Sequence, residues 1–532
     1  MSTPARSTGA SAATPAVPRD YNAAVDFIDH HVTAGRGDHL AVIDDNGSFT
    51  YGELAERMNR AGAALLDLGL RQESRLVMIM LDSVDFPAVF WGAIKAGIVP
   101  IPVNTLLTTE TYRHILKDSR AEAVIISSPL YDTVAPALEG QRSLRQVIIA
   151  GDPVGGHRQL AGLLEAAPAQ LDAASTTRDD CAFWLYSSGS TGAPKGTRHL
   201  HRNLRATTEL YAKPVLGIRP DDVVFSAAKL FFAYGLGNGM SFPFAVGATA
   251  VYMAGRPTPD AVLRVMRQHQ PTIYCGVPTL YAAILADVNA NRASASQALR
   301  VCISAGEALP EEVGKRWQER FGAEVLDGVG STEMLHIFLS NQPGSVRYGT
   351  SGVPVPGYEA RLVDEEGRDV PDGEVGELLI KGPSAAEGYW NNREKTLSTF
   401  AGPWTYTGDK YYRDDDGYYH YCGRADDMMK VSGNWVSPFQ VESALIAHAA
   451  VLEAAVIARE DPDGLTKPAA YVVLRQDFDG SEDLRYELKR HVKEKLAPWQ
   501  YPRWVEFIDE LPKTATGKIQ RFKLREQARE GG

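Results

Sequence analysis

One stretch concentrates residues able to do chemistry on a phosphate: Tyr186-Ser-Ser-Gly-Ser-Thr-Gly-Ala-Pro-Lys-Gly196. An apolar run, Cys181–Tyr186, leads into it and reads as a buried strand. Gly189 and Gly192 permit backbone conformations that aim several N–H groups at one point. Ser187, Ser188, Ser190 and Thr191 add hydroxyl donors, and Lys195 adds positive charge. Together these suit a polyphosphate. The pattern is not a Walker loop, which needs Gly-Lys-Ser/Thr, because Gly196 follows Lys195 here. An exposed flexible turn is the bland alternative, and Pro-Lys-Gly after a buried strand is unusual for a linker.

The elements that must hold this loop follow from periodicity. Leu54, Met58, Ala61, Leu65 and Leu66 recur at helical spacing across 51–70, with Thr50 placed to cap. Short apolar runs at 75–81, 98–103, 123–126 and 146–150 read as strands, and 88–96 as a helix. Helices alternating with buried β-branched strands indicate α/β layers with largely parallel sheets. After an acidic, aromatic, turn-rich stretch (406–421) comes a compact set with its own α+β pattern. It comprises a helix opened by Ser437-Pro438, strands at 452–457 and 469–474, a helix over 483–496 and a strand at 504–508. This divides the chain into a disordered tail (1–20), a large N-terminal domain (21–425) and a small C-terminal domain (426–532).

Composition narrows the function. The chain has 532 residues, 44% hydrophobic and 23% charged, which suits a globular protein of more than one domain. A net charge of −11 argues against broad nucleic-acid binding. No run is long enough for a membrane span, and Met1–Pro18 lacks the apolar core of a secretory signal. Cys181, Cys275, Cys302 and Cys422 are scattered without a C-x-x-C pair, so neither a disulfide framework nor a zinc site is expected and the setting is a reducing cytoplasm.

The Tyr186–Gly196 segment resembles the phosphate loop of the adenylate-forming superfamily, which includes acyl-CoA synthetases, luciferases and peptide-synthetase adenylation domains. Four further segments agree in order. Ser304-Ala-Gly-Glu-Ala-Leu-Pro310 is similar to the family's adenine-contacting strand end, and Asp327-Gly-Val-Gly-Ser-Thr-Glu333 to its Gly-x-Thr-Glu motif. Thr405-Tyr-Thr-Gly-Asp409 with Gly423-Arg424 resembles its ribose motif, and Pro512-Lys-Thr-Ala-Thr-Gly-Lys518 its C-terminal catalytic loop. The likeness runs from about residue 22 to 525. It implies a large domain of layered α/β sheets with a distorted β subdomain, plus a small mobile α+β domain turning about Asp426.

The resemblance also implies roles. ATP, Mg²⁺ and coenzyme A are the expected cofactor and co-substrates. Glu333 would ligate Mg²⁺ and Thr332 would bond the α-phosphate; otherwise Glu333 is a solvated loop acid. Gly306, Glu307, Ala308, Asp327 and Gly328 would meet adenine. Many relatives carry an aromatic residue where Val329 stands, so aliphatic contact and Tyr421 would hold the purine, with Asp327 against its amine. Asp409 would accept from the ribose hydroxyls, and Arg424 would serve ribose or phosphate or else pair with Asp426 or Asp427. Lys518 would neutralise charge during adenylation, standing otherwise as one of several solvated cations with Lys513, Arg521, Lys523 and Arg525. The Lys430-Val-Ser-Gly-Asn-Trp435 face, with Lys430, Ser432, Gly433 and Trp435, would serve CoA or substrate; Lys430 is open to carboxylate, phosphate or CoA.

Acid specificity rests on Phe231-Phe-Ala-Tyr-Gly-Leu-Gly237, where Ala233, Tyr234 and Gly235 fall at acyl-pocket positions of relatives. Gly328 and Gly330 would leave room for a flat ring, and His336 with Ile337 would close the bottom, His336 being otherwise a core histidine. The set looks most like benzoate-CoA ligases. The expected reaction is conversion of benzoate or a close analogue to its CoA thioester through an acyl-adenylate. The alternatives are a medium-chain fatty acyl-CoA synthetase, a luciferase-like oxygenase, a stand-alone adenylation domain and a non-catalytic nucleotide-binding protein. The expected partners are a small aromatic carboxylic acid, a second copy of the chain, and a lysine acetyltransferase and deacetylase acting on Lys518, with no nucleic acid or membrane.

Overall fold

The computed structural model describes residues 15–189, 192–425, 427–431, 434–461, 465–513 and 519–530. Two sheets organise the large part. One is five-stranded and wholly parallel, in the order Val99–Pro102, Arg75–Ile79, Ala123–Ser127, Gln146–Ala150, Arg158–Gln159. The other has nine strands. Its central six, from Glu324–Gly330 through Val301–Ser304, Ile273–Gly276, Val223–Ser226 and Thr249–Val251 to Leu40–Asp44, run parallel, with antiparallel strands at both edges.

The strands alternate as a period of two requires. Leu76 and Met78 join a core shared with the helices Tyr51–Asp67 and Asp85–Lys95, while Val77 and Ile79 pack on the opposite side with Tyr112 and Ile115. On the nine-stranded sheet, Tyr274, Cys302 and Val325 face Trp317 and Phe321 of the helix Glu311–Phe321. The helix Tyr51–Asp67 begins in a reciprocal capping box between Thr50 and Glu53, which satisfies two N–H groups the helix cannot satisfy itself. Leu54, Met58, Ala61 and Leu65 are buried as its spacing predicts, but Leu66, about 100° further round, is 38% exposed.

A five-stranded antiparallel sheet follows, built on Glu359–Val363, Gly376–Lys381 and Trp404–Arg413, with register shifts that twist it. The turn-rich stretch expected at 406–421 is therefore mostly the hairpin of Trp404–Arg413 and Tyr419–Arg424. The small C-terminal part has its own core, in which Val441, Leu445, Val456, Val472, Leu488 and Val505 meet. It adds a helix that sequence periodicity does not foresee, Arg521–Glu530.

Of the expected tail, residues 1–14 lie outside the described residues, and the remainder is tied down. Val17 is buried and its carbonyl accepts from Arg178, while Asp20 bridges Thr177 in antiparallel fashion. Those backbone contacts are set by distant residues, so local composition does not reveal them. No helix among the described residues is long and apolar enough to cross a membrane. The four cysteines are free thiols, as expected.

Candidate functional site

The phosphate-type loop sits on a hairpin. The strand Cys181–Gly189 turns back as Gly192–Leu200, with Ser187 opposite Lys195 and Gly189 opposite Gly192. Ser190, Thr191 and the Ser188 side chain lie outside the described residues. Two hydroxyls converge on Glu333: Tyr389 donates to its Oε1 at 2.7 Å and Ser187 to the same oxygen at 3.3 Å. Lys195 places its ammonium 4.8 Å from the centre of the Tyr389 ring. Burial lowers the Lys195 pKa, and the nearby Glu333 charge opposes that shift. Burial and the adjacent Glu333 charge push the Tyr389 phenol well above its ordinary value, so it stays a donor.

Thr332 is fixed through its backbone. Its carbonyl accepts from His199 Nε2 at 2.9 Å. Burial holds His199 down to about 4, so it is neutral, with the tautomer set by this carbonyl. Sequence reading misses both Tyr389 and His199, because their partners lie 56 and 133 residues away along the chain.

The adenine-type elements meet beside this hairpin. Asp327 ends its run along Val301–Ser304, where Ser304 is its register partner, and its Oδ2 accepts from Leu309 N at 3.2 Å. It is 2% exposed, and burial raises its carboxyl to about 8 against the Leu309 N–H and the Ser304 hydroxyl. Its Oδ1 is buried without a hydrogen-bond partner among the described residues. Gly306, Glu307 and Ala308 lie between Ser304 and Leu309, and Glu307 Oε1 accepts from Ile519 N at 3.2 Å. Val329 and Tyr421 both pack, partly buried, against one apolar cluster.

Asp409 and Arg424 are register partners on adjacent strands, joined at 3.1 Å, and Arg424 also donates to the Thr407 carbonyl. Gly408 makes this turn with φ of +74°, and a Cβ there would stand 2.8 Å from the Arg424 guanidinium. The alternative pairing of Arg424 with Asp427 does not occur: Asp427 binds Arg525 at 2.8 Å. Asp426 lies outside the described residues.

The residues expected at the acyl pocket include an aromatic cluster around His336. Tyr234 donates its phenol to the carbonyls of Gly276 and Ile303, at 3.1 and 2.9 Å, bridging two parallel strands. Its ring lies 5.9 Å from that of His336, interplanar angle 27°, and Phe242 and Tyr211 complete an aromatic surround. His336 is 3% exposed and held down to about 3 by burial, and neither ring nitrogen has a partner among the described residues. Gly237, which closes the Phe231–Gly237 loop but is given no pocket role from sequence, is the close neighbour: a Cβ there would lie 2.4 Å from His336 Cδ2.

Two glycine expectations change. The space at Gly328 and Gly330 is taken by the adjacent strand, since a Cβ would come within 2.7 Å of the Leu339 carbonyl oxygen or 2.6 Å of that of His336. Their smallness therefore lets two strands approach and does not hollow out a ring site. At Gly235 a Cβ would fall 2.0 Å from the Lys229 carbonyl, again a close backbone approach. Ala233 is half-buried at the start of this turn, and Ile337 is buried in the core.

On the C-terminal part, Lys430 is exposed on the strand Met429–Val431 and pairs in register with Trp435. Ser432, Gly433 and the Trp435 side chain lie outside the described residues, as does Lys518. The loop carrying Lys518 closes at its base through the Lys513–Ile519 bridge. Three of its neighbouring cations are committed, Lys513 to Glu453 at 2.6 Å, Arg521 to Glu442 at 2.8 Å and Arg525 to Asp427, while Lys523 is exposed.

Among the described residues no group of three metal-binding side chains gathers. Glu333 lies within hydrogen-bond reach of Ser187 on the hairpin, and one carboxylate there fits Mg²⁺, an ion that takes most of its oxygens from phosphate and water.

A parallel-stranded scaffold whose strand ends meet a glycine–hydroxyl hairpin and one carboxylate defines an α/β enzyme class that handles nucleotide phosphates. Comparison with known proteins makes this specific. Residues 29–390 match the AMP-binding enzyme family model, and 440–518 match the AMP-binding enzyme C-terminal domain. The chain belongs to the AMP-binding enzyme family. It is 59% identical over 511 residues to a benzoate–CoA ligase of Thauera aromatica, covering 96% of each chain. Among solved structures it matches a benzoate CoA ligase from Burkholderia xenovorans LB400 with a TM-score of 0.89 and 55% identity, over 95% of this chain and 100% of that one. It matches the anthranilate CoA ligase AuaEII in complex with anthranoyl-AMP with a TM-score of 0.92 and 42% identity, over 97% and 98% of the two chains.

Proposed function

We propose that this chain is an ATP-dependent aryl-CoA ligase whose acid is benzoate. The observation that carries the acid assignment is the uncharged aromatic end formed by Tyr234, His336, Phe242 and Tyr211. A second carboxylate or an ammonium on the substrate would be stranded there without a counter-charge, at a cost of several kcal/mol. The relatives named above act on benzoate or anthranilate, by their names, which supports the same class of acid.

The reaction runs in two steps. A carboxylate oxygen attacks the α-phosphorus of ATP, a P–O bond forms, and the bond to pyrophosphate breaks. The sulfur of CoA then attacks the acyl carbon, its proton leaves to solvent, and AMP departs with the electron pair. Mg²⁺ supplies charge neutralisation at the phosphates when bound. Glu333, oriented by Tyr389 and Ser187, would hold it. Asp409 with Arg424 would position the ribose, and Asp327 with Tyr421 the adenine. His199 fixes the Thr332 backbone, which would hold that hydroxyl ready for the α-phosphate.

Lys518 serves the first step. The Lys430–Trp435 face serves the second after a turn about Asp426, which divides the chain into working units at 425/426. Acetylation of Lys518 would stop adenylation by removing its charge. We place the reaction in a reducing cytoplasm, in keeping with free thiols.

The test is a panel of acids assayed for ATP- and CoA-dependent AMP formation. Benzoate should exceed hexanoate in kcat/KM by at least about 100-fold, the worth of roughly 2.7 kcal/mol of differential binding. Equal turnover of the two acids would overturn the aryl assignment.

A further inference from the structure

The two parts of the chain also meet away from the nucleotide cleft. The helix Glu311–Phe321 faces the turn after Pro438–Ile446 and the end of the strand Thr466–Leu474. Between them lies a cavity of about 310 Å³ whose polar lining is Glu312, Arg316, His448 and Arg475. Arg316 comes from the large domain and Arg475 from the small one. Neither guanidinium has a hydrogen bond or ion pair among the described residues.

The surrounding charges do not relieve this. Arg320, close enough to act on Arg475, turns its Nη1 to the carbonyls of Leu285 and Asp287. Glu311 is bound to Lys315, and Glu487 faces His448 at 3.3 Å. Glu312 remains on the lining, but its attraction for Arg475 ranks below the repulsion from Arg316 and Arg320. Burial first, then those two arginines, lowers the Arg475 pKa, though an arginine stays charged at neutral pH. On a chain of net charge −11, this is a local positive excess created where two domains touch. Two guanidinium groups lining one cavity supply the kind of donors that tetrahedral oxyanions take.

We propose that the Arg316–Arg475 cavity binds a phosphate-class dianion, and that the bound anion favours this domain arrangement over the one that presents the Lys430–Trp435 face. The site is complete only while both domains supply their arginine. The consequence for the second step rests on the two-step reading above; the binding does not. The phosphate could be free or carried as an ester on a larger molecule.

Calorimetric titration of the full chain with inorganic phosphate, at constant ionic strength and with AMP saturating the nucleotide cleft, tests the site. Saturable binding is expected, about tenfold weaker in Arg316→Gln, the worth of one charge-assisted contact. Competition by CoA but not by dephospho-CoA identifies an ester as the occupant, and absence of competition identifies free phosphate. Thioester formation from supplied benzoyl-adenylate should slow with phosphate in the parent and not in Arg316→Gln. No saturable binding, or equal binding by the two proteins, overturns the site. Binding without slowed thioester formation overturns the preference for one arrangement. The titration contains no acid substrate, so failure of benzoate turnover would leave its outcome unchanged.

Discussion

Replacing Tyr389 by Phe removes one oxygen and leaves its packing in place. In the native chain that hydroxyl lies 2.7 Å from Glu333 Oε1, while the Ser187 hydroxyl holds the same oxygen more loosely at 3.3 Å. A hydrogen bond to a carboxylate counts for about 1.5–3 kcal/mol. With Ser187 still present we expect the lower part of that range, about 1.5–2 kcal/mol. At about 1.4 kcal/mol per factor of ten, Y389F should lower kcat/KM for benzoate-dependent pyrophosphate release about 10–30-fold. The concentration of Mg²⁺ needed for half-maximal rate should rise, because a freely turning carboxylate must be ordered again on each binding event. The Phe ring retains its tilted contact with Phe400 and its place beneath the Lys195 ammonium, so the melting temperature should hardly move. Parent-like pyrophosphate release with parent-like Mg²⁺ dependence would show that the Tyr389–Glu333 bond orients nothing. A large drop in melting temperature would make the effect one of folding.

Other substitutions probe other parts of the site. His336→Ala removes a buried ring of the aromatic cluster proposed to end the acyl pocket, which should cost about 2–4 kcal/mol of stability and raise the ratio of 4-methylbenzoate to benzoate kcat/KM at least about tenfold. An unchanged ratio would place His336 away from the substrate. Asp327, raised to about 8, binds its proton more tightly folded than unfolded, so stability is full below the ordinary carboxylate range and falls as pH rises toward 8. Asp327→Asn should flatten this fall, seen as a smaller difference in melting temperature between pH 5.5 and pH 8.5; an unaltered difference would assign the fall to other groups. Lys518→Ala should abolish benzoate-dependent pyrophosphate release yet still convert supplied benzoyl-adenylate to thioester, and equal loss of both half-reactions would refute the division of labour.

The sequence speaks most clearly where one physical rule decides. The apolar runs at 76–79 and 123–126 are too β-branched and too evenly buried to be anything but inner strands. Thr50 announces a helix start, which Glu53 completes as a capping box in the structure, and Ser437-Pro438 another, borne out by the Ser437 hydroxyl accepting from Gln440 N. Gly192–Leu200 is harder to see, because Gly, Pro and Lys are poor strand formers and only its partner strand holds it extended. The helix Arg521–Glu530 hides for the opposite reason: its buried contacts are few, and ion pairs from Arg521 and Arg525 anchor it.

The candidate site divides likewise. Motif residues such as Asp409 and Arg424 can be marked from the chain, but that they face each other across two strands follows from register. Tyr389 and His199 act through neighbours distant in sequence, as does the approach of Gly237 to His336, and no local pattern flags such pairs.

Tyr234 carries a consequence for how this scaffold could acquire new acids. Its phenol is spent twice, on two carbonyls that belong to different strands. Trading it away would unsettle the architecture before it altered the diet of the enzyme. Innovation should therefore enter by the opposite door, at His336 and Gly237, where a ring with idle nitrogens leans on a residue that has nothing to lose but space. Lineages that switch acids on this frame should keep the tyrosine and vary that pair.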